Sequence, residues 1–286
     1  MPEKTLDLTG IMAAIPALRN RFRNAGACPE CGYDMLEAFN PDTQKAMCKP
    51  ACPNCGYRVN GHVPSQREQD AEFTHEANRS DAIMYLAHTS VLTDKDVLDK
   101  NFENFHAGTV DQQKALGVAK RVAKDIGSGQ PVHAVFTGST GVGKSHLAMG
   151  ILYEVLKQSN YRKKVAFIDL QELIKHMKIG FGDDNEFARY NQGTMAEISK
   201  ADVVVIDDLG SEAGDGSNNY SASQFNLDTV SGIFRARENK PTIITTNRVG
   251  VDLKRIYGDR VVSRITAHVM GHTMDFTGIK DYRMNH

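Results

Sequence analysis

From about Asn101 onward the chain alternates between two hydrophobic rhythms. Residues 110–126, VDQQKALGVAKRVAKDI, place Val110, Leu116, Val118, Val122 and Ile126 near helical spacing. Short runs apolar throughout then follow at HAVFTG, KVAFIDL, DVVVIDDLG and PTIITTN, each flanked by a helix-like stretch. Strands without polar alternation, separated by helices, predict a parallel sheet covered on both faces. The expected fold class is therefore α/β. The N-terminal third has a different texture. Residues 1–62 hold few long apolar periods, with a helix expected from Leu8 to Phe22 and interrupted by Pro16. Residues 63–99 read as a polar, helical connector, with Glu76 to His88 as its clearest helix. The expected organisation is thus 1–62, a linker at 63–99, and an α/β domain at 100–286.

Charge changes this picture little. Lys and Arg number 34 against 35 Asp and Glu, for a net charge of −1, which excludes a globally basic nucleic-acid coat. No apolar run approaches the ~20 residues of a membrane span. Residues 2–7 are mostly polar, unlike the core of a signal peptide, so a cytoplasmic location is expected.

The chemistry begins at HAVFTGSTGVGKSHLAMGIL, which reads strand, glycine-rich loop, helix. Gly138, Gly141 and Gly143 permit backbone angles that side chains block. The loop's N–H groups can surround a β-phosphate at the positive end of the following helix. Lys144 is expected on the β- and γ-phosphates, and Ser145 offers a hydroxyl to Mg²⁺. In ADVVVIDDLG, a buried strand presents two acids at its C-terminal end. Asp207 is expected on the metal and Asp208 on the attacking water, with Glu212 a weaker rival for the base. PTIITTN ends in Asn247, an amide placed to hold water or sense the γ-phosphate. GDRVVSRI carries Arg260 and Arg264 four apart, on one face if helical.

All five cysteines lie between positions 28 and 55. CPECGYDM and CPNCGYRV repeat one CPxCGY turn, and each turn sets two thiolates side by side. Cys28, Cys31, Cys52 and Cys55 are the economical ligand set for a structural, closed Zn²⁺ site, in preference to disulfides. Cys48 and His62 stand as possible replacements for one ligand. Residues 1–62 contain seven basic against six acidic side chains, so a DNA-binding ribbon has little electrostatic support.

Taken together, GSTGVGKSHLA, VVVIDDLGSE, PTIITTN and GDRVVSRI resemble, in order and spacing, AAA+ ATPases of the DnaC/DnaI helicase-loader branch. The likeness covers roughly residues 98–286, and NFENFHAGTVDQQKAL resembles that branch's lead-in segment beside the adenine. It implies a P-loop AAA+ domain preceded by a small zinc ribbon. ATP contacts are implied for Gly138, Ser139, Thr140, Gly141, Val142, Gly143, Lys144, Ser145 and His146. Asp207 and Asp208 match the paired acids, and Asn247 matches the first sensor. Arg264 matches the finger reaching a neighbouring subunit, with Arg260 second, and Arg283 matches the second sensor. The family pattern has Glu where this chain has Asp208, which implies slow turnover, stimulated by single-stranded DNA. The implied partners are a hexameric DnaB-type replicative helicase and single-stranded DNA, with ATP-dependent self-association. Phe181 and Tyr220 are the candidate base-stacking rings, with Phe181 reading equally as a core anchor, and the zinc module is the expected helicase contact. An IstB-like transposition ATPase and a weakly hydrolysing ATP-binding adaptor are the alternatives.

Overall fold

Each apolar run becomes a strand buried on both faces. A computed structural model describes residues 21–59, 66–213 and 222–279. Its contacts divide the chain into two compact units, Met1–Ala77 and Asn78–His286.

In the second unit, β3 (His133–Thr137), β4 (Val165–Asp169), β5 (Val203–Asp207), β6 (Thr242–Thr246) and β7 (Thr273–Asp275) form one sheet. Its order is β4-β5-β6-β3-β7, and every pairing is parallel. Successive side chains point to opposite faces and find separate cores. Val203 and Val205 pack with α2 (Val110–Gly127) and α3 (Lys144–Gln158), whereas Val204 and Ile206 pack with α4 (Leu170–Ile179), α5 (Gln224–Ala236) and α6 (Gly250–Thr266). Thr109 starts α2 with a reciprocal capping box to Gln112. Strand β7 was not anticipated: TMD is only three residues long, with Thr273 and Asp275 exposed.

The order matters for the site. Strand β6 lies between β3 and β5, so the phosphate loop, Asn247 and the acid pair leave neighbouring strands at one edge of the sheet. Ligands of open α/β sheets bind outside these carboxyl ends.

The helix foreseen at 76–88 is longer, forming α1 (Gln66–Thr89). Its C-terminal part does not pack lightly: Ala82 and Leu86 join the core beneath α2 and α3. Val91 exchanges backbone hydrogen bonds with Phe167 and Asp169 on β4.

In the first unit, β1 (Phe22–Ala27) and β2 (Asp34–Ala38) form an antiparallel pair around the first cysteine turn. This corrects the end of the expected N-terminal helix, because Phe22 opens a strand. The turn at 28–33 reverses the chain and supplies that strand with a partner. Residues 8–20 of that helix, His62, Tyr220 and Arg283 lie outside the described residues.

Candidate functional site

Gly143 sits at the N-cap of α3 with φ 95°, a left-handed conformation that only glycine adopts freely. Gly138, at φ 142°, also lies against Phe276, where an added Cβ would come 2.7 Å from the Phe276 Cβ. The loop thus turns sharply and aims the first N–H groups of α3 outward. Gly141, Gly143, Thr140, Lys144, Ser145 and His146 line a cavity of about 710 Å³, together with Asp169, Asp207 and Asp208.

Lys144 is almost fully buried. Its ammonium donates to Gly138 O at 2.9 Å, Ser139 O at 2.7 Å and Asn247 Oδ1 at 2.8 Å. Asn247 in turn donates through Nδ2 to Asp208 Oδ1 at 3.3 Å. Ser145 Oγ lies 2.9 and 3.0 Å from the two carboxylate oxygens of Asp207. Sequence reasoning named every one of these residues, and the fold brings them together.

It missed Thr245. This hydroxyl donates to Asp207 Oδ1 at 2.5 Å and accepts the Asp208 N–H at 2.9 Å, so one side chain positions both acids. The available signal was a threonine two positions before Asn247, on the same face of a strand that holds three threonines and two isoleucines. Asp208 has φ 55°, in the left-handed region that Asp tolerates better than most residues, and the chain turns there immediately after β5.

Burial pushes the Asp207 carboxyl up to about 7, and the Asp208 charge adds to this; the hydrogen bonds from Thr245 and Ser145 pull the other way. A divalent cation would relieve that cost. The donor set fits Mg²⁺, since a hydroxyl and a carboxylate stand within hydrogen-bond distance beside the phosphate loop. Glu212 is turned away from this role. Its carboxylate accepts from Tyr257 Oη and from Gly210 N–H, which ties the loop after the acids to α6.

Neither candidate finger lines the cavity. Gly258 kinks α6 (φ 76°, ψ 168°), and Arg260 and Arg264 lie beyond the kink. Arg260 is exposed. Arg264 is half-buried, with Nε 3.6 Å from Glu238 Oε2.

In the first unit the two cysteine turns are superimposable in their bonding. Cys28 N–H donates to Tyr33 O and Gly32 N–H to Cys28 O; Cys52, Tyr57 and Gly56 repeat both bonds. The four sulfurs of Cys28, Cys31, Cys52 and Cys55 lie within 4.8 Å of one another. Tetrahedral zinc with Zn–S of about 2.3 Å requires sulfurs about 3.8 Å apart, so the cage fits. Cys48 is exposed and outside it.

The sheet order and the phosphate loop with its paired acids define a P-loop ATP-binding protein. The family described as IstB-like ATP binding protein matches residues 74–285, and this chain belongs to it. It is also similar to the replicative helicase loader DnaC of Escherichia coli (strain K12), at 26% identity over 209 residues. That alignment covers 70% of this chain and 77% of that protein. The crystal structure of the DnaC helicase loader superposes with a TM-score of 0.52 at 28% identity, over 65% of this chain and 100% of that one. The DnaI crystal structure, at 22% identity and TM-score 0.50, covers 66% of this chain and 94% of its own, and shares the fold. Among the described residues no helix is long and apolar enough to cross a membrane.

Proposed function

We propose that this chain is an ATP-dependent loader that delivers a hexameric, DnaB-type replicative helicase to single-stranded DNA. The observation that carries the reading is the chain of contacts Lys144–Asn247–Asp208 beside Ser145–Asp207, in a domain similar to DnaC over most of that protein's length.

Lys144 and the loop N–H groups would hold the β- and γ-phosphates. Ser145 and Asp207 would hold Mg²⁺, which neutralises phosphate charge when bound. Asp208 takes a proton from the attacking water, and Asn247, touching both Lys144 and Asp208, reports whether the γ-phosphate is present. Aspartate in place of the longer glutamate sets the base back from the phosphate, so turnover is slow, suited to a switch that changes state once per delivery. In this reading Arg264 completes the site of a neighbouring copy, ahead of Arg260, and Arg283 contacts nucleotide in its own chain.

Zinc on Cys28, Cys31, Cys52 and Cys55 stiffens the β1–β2 unit into a module for the helicase, joined through the start of α1 to the ATPase unit that begins at Asn78. Phe181 is 65% exposed although its ring touches Phe187 and Phe225, and so has a face for stacking on a DNA base. Strand binding there stimulates hydrolysis. The whole process belongs to the cytoplasm.

Native mass spectrometry tests the proposal. Wild-type chain, Lys144→Ala and a form lacking residues 1–62 are mixed with candidate replicative helicases in ATP and in ADP. A defined complex that needs the zinc module supports loading. ATP binding without any helicase complex moves the assignment to a transposition ATPase of the IstB type, the alternative that the family's own description favours.

A further inference from the structure

One stripe of the phosphate-loop helix is given over to a single segment. His146, Gly150, Tyr153 and Lys157 follow one another along one face of α3 at helical spacing. Each meets a residue between 98 and 105. The His146 ring lies with Nε2 2.9 Å from Asn101 O and 2.8 Å from Asn104 Oδ1; both are acceptors, so Nε2–H donates to the pair. Phe105 meets the same imidazole edge-on, with ring centroids 5.1 Å apart. One turn further, Gly150 leaves room for the Phe102 ring, whose Cδ1 would lie only 2.5 Å from an added Cβ. Tyr153 Oη donates to Leu98 O at 2.6 Å, and Lys157 pairs with Glu103 at 3.1 Å.

The clamped segment is also a wall of the nucleotide cavity. Lys100, Asn104, Phe105 and His106 line it, and Leu92, Val97 and Phe167 add apolar surface to the same cavity. A flat aromatic base suits such a lining, since apolar walls with a few polar groups are what bury such ligands.

We infer that His146 is the positioning residue of the nucleobase pocket: it fixes residues 101–105 to the helix that begins at the phosphates, and so couples base recognition to the phosphate loop. This rests on the ATP-binding reading above and deepens it. His146 does not touch the reacting atoms in this assignment; it acts through Asn101, Asn104 and Phe105.

The experiment compares equilibrium binding of ATP, ADP and inorganic tripolyphosphate to wild type, His146→Leu, His146→Gln and Gly150→Ala, each checked for native thermal unfolding. Tripolyphosphate reports the phosphate loop alone. His146→Leu should weaken ATP and ADP by about tenfold, the scale of a lost hydrogen bond, with tripolyphosphate unchanged. Glutamine, which can carry a donor near the same place, should restore most of the loss. Gly150→Ala, by displacing Phe102, should reproduce the leucine pattern and covers the case in which His146→Leu fails to fold. Equal loss for all three ligands, or no loss in either variant, overturns the inference while leaving ATP binding intact. A wild type that binds tripolyphosphate but not ATP overturns it as well, and the ATP reading with it.

Discussion

Asn247 accepts a 2.8 Å hydrogen bond from Lys144, the cation of the phosphate loop, although the two are 103 residues apart in sequence. The amide's other end reaches Asp208. In the proposed reading this amide touches both the lysine that binds the phosphates and the acid that activates water, yet it carries no charge of its own. Asn247→Ala should therefore leave ATP affinity within about threefold while turnover falls on the order of a hundredfold, the scale of losing one preorganised polar group. Lys144→Ala should instead abolish ATP binding. Equilibrium titration beside single-turnover hydrolysis separates the two, and parallel losses in both variants would contradict the assignment.

Asp207 makes a stability prediction of opposite sign to its functional one. Its folded pKa, about 7, lies above its ordinary value of 3.8. Below pH 4 both folded and unfolded chains hold the proton. Between about pH 4 and 7 the unfolded chain releases it first, so this group's contribution to folding is lost as pH rises through that window. Asp207→Asn removes the buried charge and should stabilise the metal-free protein by roughly 2–4 kcal/mol at pH 8, with little change near pH 4. The same variant should lose Mg²⁺-dependent hydrolysis. Denaturant unfolding at the two pH values measures the effect; a destabilised variant at pH 8 would refute it.

Most of this site was legible because its chemistry is local in sequence. The phosphate loop requires glycine at fixed offsets and a lysine at the helix start, and the acids terminate an apolar strand. Thr245 was hidden because threonine is an ordinary strand residue, and only the pairing of β5 with β6 sets it beside Asp207. The clamp on residues 98–105 was hidden for a related reason. Its four helix residues are unrelated in type, and they form one face only once α3 is wound. The β1–β2 pair escaped because RNAGA has no alternating apolar pattern; bonding around the cysteine turn creates it, not burial.

Arg237 shows the same limit and gives a third prediction. It is fully buried, yet its guanidinium donates to five oxygens: Thr242 Oγ1 and the carbonyls of Ile198, Ala201, Asp202 and Pro241. Burial lowers its pKa to about 10, with Asp202 opposing the shift, so it remains charged at neutral pH. No ion pair is needed when several carbonyls share one fork of donors. Arg237→Met should cost about 3–5 kcal/mol, because it strands buried carbonyls that have lost their donor. Lysine, without the planar fork, should recover only part. Chemical denaturation reads both, and a cost within ordinary surface values would remove Arg237 from its structural role.

The four-cysteine cage makes a fourth. Purified chain should hold one zinc per molecule, released by a strong chelator or by Cys28→Ser, and retained in Cys48→Ser. Metal loss should unfold the β1–β2 unit, because among the described residues only Cys28, Met35 and Cys52 are buried in its apolar core. ATP binding by residues 78–286 should be unaffected. Zinc content measured by metal analysis, with hydrogen exchange across 21–59, tests both halves. Retention of metal in Cys28→Ser would exclude the four-cysteine cage.

The arginine assignment is tested best by making two inactive proteins rescue each other. Arg264 faces Glu238 across 3.6 Å at a partly exposed site, an interaction worth little and easily exchanged for a phosphate. It lines no part of its own chain's nucleotide cavity, so in the proposed reading its effect on hydrolysis comes through a neighbouring copy. Asp208→Ala lacks the base but retains Arg264; Arg264→Ala has the reverse defect. Each alone should be inactive. Mixed under assembling conditions, some interfaces pair an intact Asp208 with an intact Arg264, and hydrolysis should reappear. The same mixture made with Arg260→Ala decides between the arginines: only the true finger gives an inactive protein that Asp208→Ala can rescue. Absence of rescue for both, with assembly verified by light scattering, would mean that neither arginine acts across an interface.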